Sequence, residues 1–148
     1  MPLTRLRRRY IYPLLLPFLC FSGTTYDICL DTDATATSQW SALYSPNYPD
    51  EYGNDRDCSF GIHASEGHTI VLELMNFHTE ENYDFVHIHD GQNDTAPLIV
   101  DRLSNLIQRE IFDSSGQYIH IRFTSDGSQS YPGFHFRFKS TGECGFGF

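Results

Sequence analysis

The sequence predicts an all-β fold, an antiparallel sandwich or barrel of short strands. Three observations point there. Apolar and polar residues alternate with a period of two over several short stretches, which is the pattern of half-buried antiparallel strands. Turn-forming clusters separate those stretches: "SPNYP", "SEG", "DGQND", "SSG" and "SDGSQSYPG". No stretch carries a convincing helical period.

The strands follow in chain order. Shorter ones are expected near 57–64, "DCSFGIHA", and near 96–103, "APLIVDRL". Over 68–77, Ile70, Leu72 and Leu74 alternate with Val71, Glu73 and Met75. Over 83–90, Val86 and Ile88 share one face, and Phe85, His87 and His89 the other. Over 117–126, Ile119, Ile121 and Phe123 oppose Tyr118, His120 and Arg122. Over 133–140, Phe134, Phe136 and Phe138 oppose His135, Arg137 and Lys139. The last two apolar rows are suited to fill the layer between two sheets.

The first 22 residues read as a separate element. The basic run "RLRRR" at 5–9 precedes the apolar run "YIYPLLLPFLCF" at 10–21, the layout of a secretory signal peptide. The run is short for a bilayer span and is interrupted by Pro13 and Pro17. Cleavage is expected after Ser22. Residues 23–28 then form a short N-terminal segment, 29–140 the domain and 141–148 a short tail. The chain has 10 Lys and Arg against 19 Asp and Glu; removal of Arg5, Arg7, Arg8 and Arg9 leaves 6 − 19 = −13. Such a surface repels nucleic acid and anionic lipid and attracts cations or basic partners.

Cysteine use fits export. Cys20 lies in the leader. Cys29 and Cys58 suit a disulfide, worth about 3–4 kcal/mol by the chain-entropy argument. Cys144 is left over, to pair with another chain, stay free or meet a further domain. Asn93-Asp94-Thr95 is an N-glycosylation sequon just after the "DG" turn, so Asn93 is expected on an exposed loop of a secreted, extracellular glycoprotein.

The stretch "HTEENYDFVHIHDG", 78–91, raises two metal readings. His87 and His89 with Asp90 could hold zinc or iron, as in a metalloenzyme. The same spacing also arises on any solvated strand face, which is how His120 and His135 are placed too, and that reading is preferred. The loop carboxylates of Glu80, Glu81 and Asp84, with Asp126 in the "SDGS" turn, are hard oxygen donors suited to calcium. Gathered together, each would raise the pKa of the others until a divalent ion relieved them. No catalytic elbow, phosphate-binding glycine loop or reactive-cysteine signature is present, so the chain reads as a non-catalytic protein.

In order, Cys29, "SPNYPDEY" (45–52), Cys58, "NFHTEENYDFVHIHDG" (76–91) and "IRFTSDGSQSYPGFHFRF" (121–138) resemble the CUB domain family. The resemblance implies a jelly-roll-like β-sandwich and a non-catalytic, extracellular protein-interaction module. In the calcium-binding type it implies that Glu80, Asp84 and Asp126 hold the ion. It adds a main-chain carbonyl near Ser128, while Tyr52 supports the cluster and Glu81 could stand in for Glu80. The ordered acids would then receive a Lys or Arg from a partner protein. Two alternatives stay open. One is a structural domain of a longer secreted protein without calcium dependence; the other is a spermadhesin-like binder of glycans or proteins. Many members carry a second disulfide, from just before the Tyr-Asp pair to a position near Leu103. Here the first cysteine is absent, the loop "EENYD" is shorter, and Leu103 stands near the second position.

Overall fold

The computed structural model describes residues 23–142. The expected leader and Cys144 lie outside them. Eleven strands form two sheets. The first sheet contains β1 (Thr25–Asp27), β3 (Ser41–Tyr44), β11 (Gly133–Ser140) and β5 (Ile70–His78), with β8 (Leu106–Ile107) and β9 (Glu110–Asp113) sharing the outer edge of β5. The second runs β2 (Asp33–Thr35), β4 (Asp57–His63), β10 (Tyr118–Thr124), β6 (Phe85–His89), β7 (Leu98–Leu103). The result is the expected all-β sandwich, antiparallel except at one edge of each sheet. There β1 pairs with β3, and β2 with β4, in parallel.

The central strands follow their sequence pattern. Phe134, Phe136 and Phe138 of β11 and Ile119, Ile121 and Phe123 of β10 are all buried. They meet across the layer, with Phe123 edge-on to Phe134 at 5.2 Å between ring centroids. Each such side chain contributes about 1.5–3 kcal/mol by leaving water. Strand β5 departs from simple alternation. Asn76 lies opposite His135 while Leu74 lies opposite Phe136, so Met75 is an extra residue. This β-bulge changes the phase of the strand. It turns Asn76 outward and brings Phe77 into the core against Phe134, 5.9 Å away.

The sandwich begins before Cys29. Strand β1 is hydrogen-bonded to β3, and Ile28 is buried. These short strands at 25–27, 33–35 and 41–44 were too brief to show a period. The disulfide joins Cys29 to Cys58, with Cα atoms 5.0 Å apart. It ties the segment after β1 to the start of β4, and so links the two sheets.

On the outer face of the first sheet, Glu73 is expected to be polar and exposed but is 1% exposed. Arg109 and Arg137 both hydrogen-bond its carboxylate, and Arg137 also lies over the Trp40 ring, 4.2 Å from its centroid. Burial alone would raise the Glu73 pKa, but the two arginines together bring it below its ordinary value. The acid is therefore kept charged by a paired, hydrogen-bonded setting.

Glycine is required at the start of β11. Gly133 has φ +82°, and a Cβ there would lie 1.9 Å from Ser45 Oγ. That hydroxyl instead accepts the Phe134 N–H at 2.9 Å.

Packing of the β10–β11 layer should dominate stability. Phe136→Ala is expected to lower the unfolding free energy by about 3–5 kcal/mol. Glu110→Ala, on the exposed edge strand β9, should change it by no more than about 0.5 kcal/mol. Urea denaturation of both variants checks the contrast.

Candidate metal centre

Three chain segments meet at one end of the sandwich. The first, 79–84, joins β5 to β6 and carries Glu80 and Asp84. The second follows β10 and carries Asp126. The third, leading into β4, carries Tyr52. Strands β6 and β10 are hydrogen-bonded neighbours, with Phe85 opposite Thr124. That register brings Asp84 and Asp126 side by side although they are 42 residues apart.

Asp84 is the centre of the arrangement and is fully buried. Its Oδ1 accepts the Asp126 N–H at 2.8 Å. Its Oδ2 accepts the hydroxyl of Tyr52. The same hydroxyl oxygen accepts the Glu80 N–H at 3.1 Å. Tyr52 is itself buried, edge-on to Phe123 at 5.1 Å. Burial first, and the hydrogen bond to Asp84 second, push its pKa well above the ordinary tyrosine value. It therefore stays a neutral donor.

The Asp126 turn is held against the segment that carries Tyr52. Asp55 N–H donates to Asp126 O at 2.8 Å, and Asn54 Nδ2 to Gly127 O at 3.2 Å. Ser125 Oγ donates to Gly53 O at 2.9 Å. Asp126 Oδ1 accepts the Ser128 N–H at 2.9 Å, which closes the turn.

The short loop at 80–84 is braced differently from the disulfide that the resemblance would put nearby. Asn82 N–H donates to Ser104 Oγ at 2.8 Å, and Ser104 Oγ donates to Glu80 O at 2.9 Å. Thr79 N–H reaches Asn105 O at 3.1 Å. Asn82 turns the loop with φ +66°, which asparagine tolerates. Leu103, near the position of the missing cysteine, is buried and lies opposite Val86. A hydroxyl and an apolar contact thus brace this corner. Ser104 carries no motif in the sequence, and its role comes only from the fold.

Among the described residues, Glu80, Asp84 and Asp126 form the one group of three acidic, histidine or cysteine side chains whose ligand atoms lie within 4.8 Å of one another. Glu80 is buried, and its Oε2 has no hydrogen-bond partner. Burial first, then the charges of Asp126 and Asp84, raise its pKa above the ordinary value. An unmatched buried carboxylate oxygen beside two more carboxylates fits a hard divalent cation. Such oxygens suit calcium rather than a thiolate- or imidazole-seeking metal. Glu81 is exposed and lies outside the group. Ser128 is exposed in the Asp126 turn. Asn93 is exposed in the turn between β6 and β7, its Oδ1 accepting the Thr95 hydroxyl at 2.6 Å.

The histidines behave otherwise. His87 contacts Asp101 at 3.0 Å. His89 departs from the expected solvated face: it is buried, with Nδ1 3.0 Å from Ala96 O. The 90–97 turn folds back over it, as Asp90 N–H donates to Pro97 O at 2.8 Å. His89 faces His120 on the neighbouring strand and not the acids.

Comparison with known proteins follows the same lines. The CUB domain model matches residues 29–138. Bone morphogenetic protein 1 of Xenopus laevis is 35% identical over 107 residues, which cover 69% of this chain and 15% of that protein. Cubilin of Homo sapiens is 29% identical over 121 residues, covering 79% of this chain and 3% of that protein. The chain therefore spans a small part of these relatives. The crystal structure of the MASP-1 CUB2 domain bound to Ca2+ aligns with TM-score 0.62 at 22% identity, over 74% of this chain and 99% of that one. The CUB1-EGF-CUB2 domain of human MASP-1/3 aligns with TM-score 0.64 at 21% identity, over 76% and 42%. From the strand order, the Cys29–Cys58 disulfide and the span matched by the family model, the chain belongs to the CUB domain family of protein-interaction modules.

Proposed function

We propose that this chain is a secreted, calcium-binding interaction module. Glu80, Asp84 and Asp126, with a main-chain carbonyl at Ser128, hold one calcium ion. The ion-ordered carboxylates then receive a Lys or Arg side chain from an extracellular partner protein. One observation carries the reading: three carboxylates from two separate loops converge within 4.8 Å, and one buried oxygen of Glu80 has no partner. The MASP-1 CUB2 domain, a fold neighbour, was crystallised bound to Ca2+, which supports the choice of ion. The exposed sequon at Asn93 and the disulfide support an extracellular setting with a glycan on the β6–β7 turn.

When bound, the cation supplies charge neutralisation and a fixed carboxylate geometry. The chain's own residues do the rest. Tyr52 orients Asp84 and the Glu80 backbone together. Ser104 holds the loop, and the 53–56 segment holds the Asp126 turn. A partner ammonium or guanidinium is attracted by the net acidic surface and pairs with carboxylate oxygens at the site, an interaction that weakens with salt.

Calcium titration by calorimetry tests the site. The expected dissociation constant is about 10⁻⁴ to 10⁻³ M. Asp84→Ala should abolish binding, and Tyr52→Phe should weaken it by about 10- to 100-fold, as loss of a ligand-orienting partner does. Wild-type binding in Asp84→Ala would refute the assignment.

The pH dependence follows from Glu80. In the ion-free protein its folded pKa lies above the ordinary 4.5. The folded state then binds more protons than the unfolded state in the window just above that value. Stability of the ion-free domain therefore falls as pH rises through it. Calcium reverses this loss. At one hundred times its dissociation constant it should stabilise by about 2.7 kcal/mol. Thermal unfolding across pH should show a calcium-induced rise in Tm that is large near neutrality and shrinks as pH falls toward the ordinary Glu range. A rise independent of pH would place the ion elsewhere.

Partner recognition is checked by affinity capture from extracellular fluid. Proteins retained in calcium should be released by EDTA and by salt. They should fail to bind when their lysines have been acetylated, which removes the charge. Retention unchanged in Asp126→Ala would remove the acids from the contact.

A further inference from the structure

The second sheet carries a cluster of chemistry that the acidic site does not use. His89 at the end of β6 and His120 on β10 lie directly opposite each other across paired strands. Their ring centroids are 5.8 Å apart. His89 lies five residues beyond Asp84, about 17 Å along an extended strand, so the pair is separate from the acids.

The hydrogen bonding defines the free nitrogens. His89 Nδ1 contacts Ala96 O at 3.0 Å. A carbonyl only accepts, so Nδ1 of the neutral ring carries the proton and Nε2 carries a lone pair. A metal-ligating imidazole is oriented in this way, with its second nitrogen donating to a carbonyl or carboxylate. His120 Nδ1 is buried and has no hydrogen-bond partner. Two imidazoles sharing one ion through bonds of about 2.0–2.1 Å have ring centroids about 5.2 Å apart at the tetrahedral angle and up to about 6.4 Å at wider angles. The observed separation lies within that range, and a closing of about half an ångström reaches the tetrahedral value.

Charges of both signs stand near the pair. Arg122 lies on the same face, but its guanidinium donates to both oxygens of Asp57 at 2.9 and 2.8 Å. A further nitrogen of Arg122 stands 3.7 Å from Asp94. Burial first, then the charges of His89 and Arg122, hold the His120 imidazole below its ordinary pKa, with Asp94 acting in the opposite direction; the neutral ring is the form that ligates a metal.

We propose that His89 and His120 form a two-histidine site for a divalent transition ion of the zinc–copper class, with water completing the shell. Imidazole nitrogen favours these ions over calcium. Because Ala96 O fixes His89, the ion would also fasten the 90–97 turn, with its sequon, to the sheet.

The test is zinc titration of the full chain by calorimetry in chelator-free buffer, with saturating calcium to occupy the acids. Histidine ring resonances are followed in parallel. One zinc per chain is expected, shifting the rings of His89 and His120. His120→Asn should lose the binding, and His68→Asn should keep it. If His120→Asn does not fold, the wild-type ring shifts decide alone. Copper(II) bound to the wild type should show hyperfine coupling to two imidazole nitrogens by electron paramagnetic resonance. No zinc binding, binding only without calcium, unchanged binding in a folded His120→Asn, or shifts confined to His63, His68 or His87 would each overturn the proposal.

Discussion

The Asp84 carboxylate is the node on which this end of the molecule depends. One oxygen takes the Tyr52 hydroxyl and the other takes the Asp126 N–H. Through those two contacts the loop before β6, the turn after β10 and the segment before β4 become one body. A buried carboxylate is costly unless its oxygens are matched. Here the matching groups come from distant parts of the chain, so the site forms only when both strands of the β6–β10 pair and the Tyr52 segment are in place.

The same constraint separates the two buried glutamates. Glu73, on the opposite sheet, is equally buried but has two arginines on its carboxylate. Among the described residues no cation pairs with Glu80, and one of its oxygens is unmatched. Two buried glutamates in one small sandwich thus have opposite shifts, Glu73 downward and Glu80 upward. The first is a structural ion pair and the second is the carboxylate that the proposed calcium ion would match. That difference in partners, rather than the number of acids, is what singles out Glu80 as the candidate ligand.

The sequence disclosed the strands wherever alternation was long enough to count. Strands β10 and β11 run within a residue or two of the expected bounds because Ile119–Phe123 and Phe134–Phe138 alternate without interruption. The alternation of β5 misled beyond Leu74, since a bulge at Met75 leaves no mark in composition. Strands of two to four residues at 25–27, 33–35, 41–44, 106–107 and 110–113 carry too few positions to define a period. The acids were visible as residue types, but their convergence came from the family resemblance, because proximity across 42 residues is set by strand register. Glu80 over Glu81 was decided by the loop conformation that Ser104 and Asn82 impose. His89 was read as exposed because the turn that covers it forms through backbone bonds, which side-chain patterning does not report.

The most direct test is a crystal structure of the chain grown with calcium. One ion is expected at the β6–β10 end, with oxygens of Glu80, Asp84 and Asp126 at about 2.3–2.6 Å and the Tyr52 hydroxyl still on Asp84. An ion bound elsewhere, or three carboxylates splayed apart with no shared ion in saturating calcium, would contradict it.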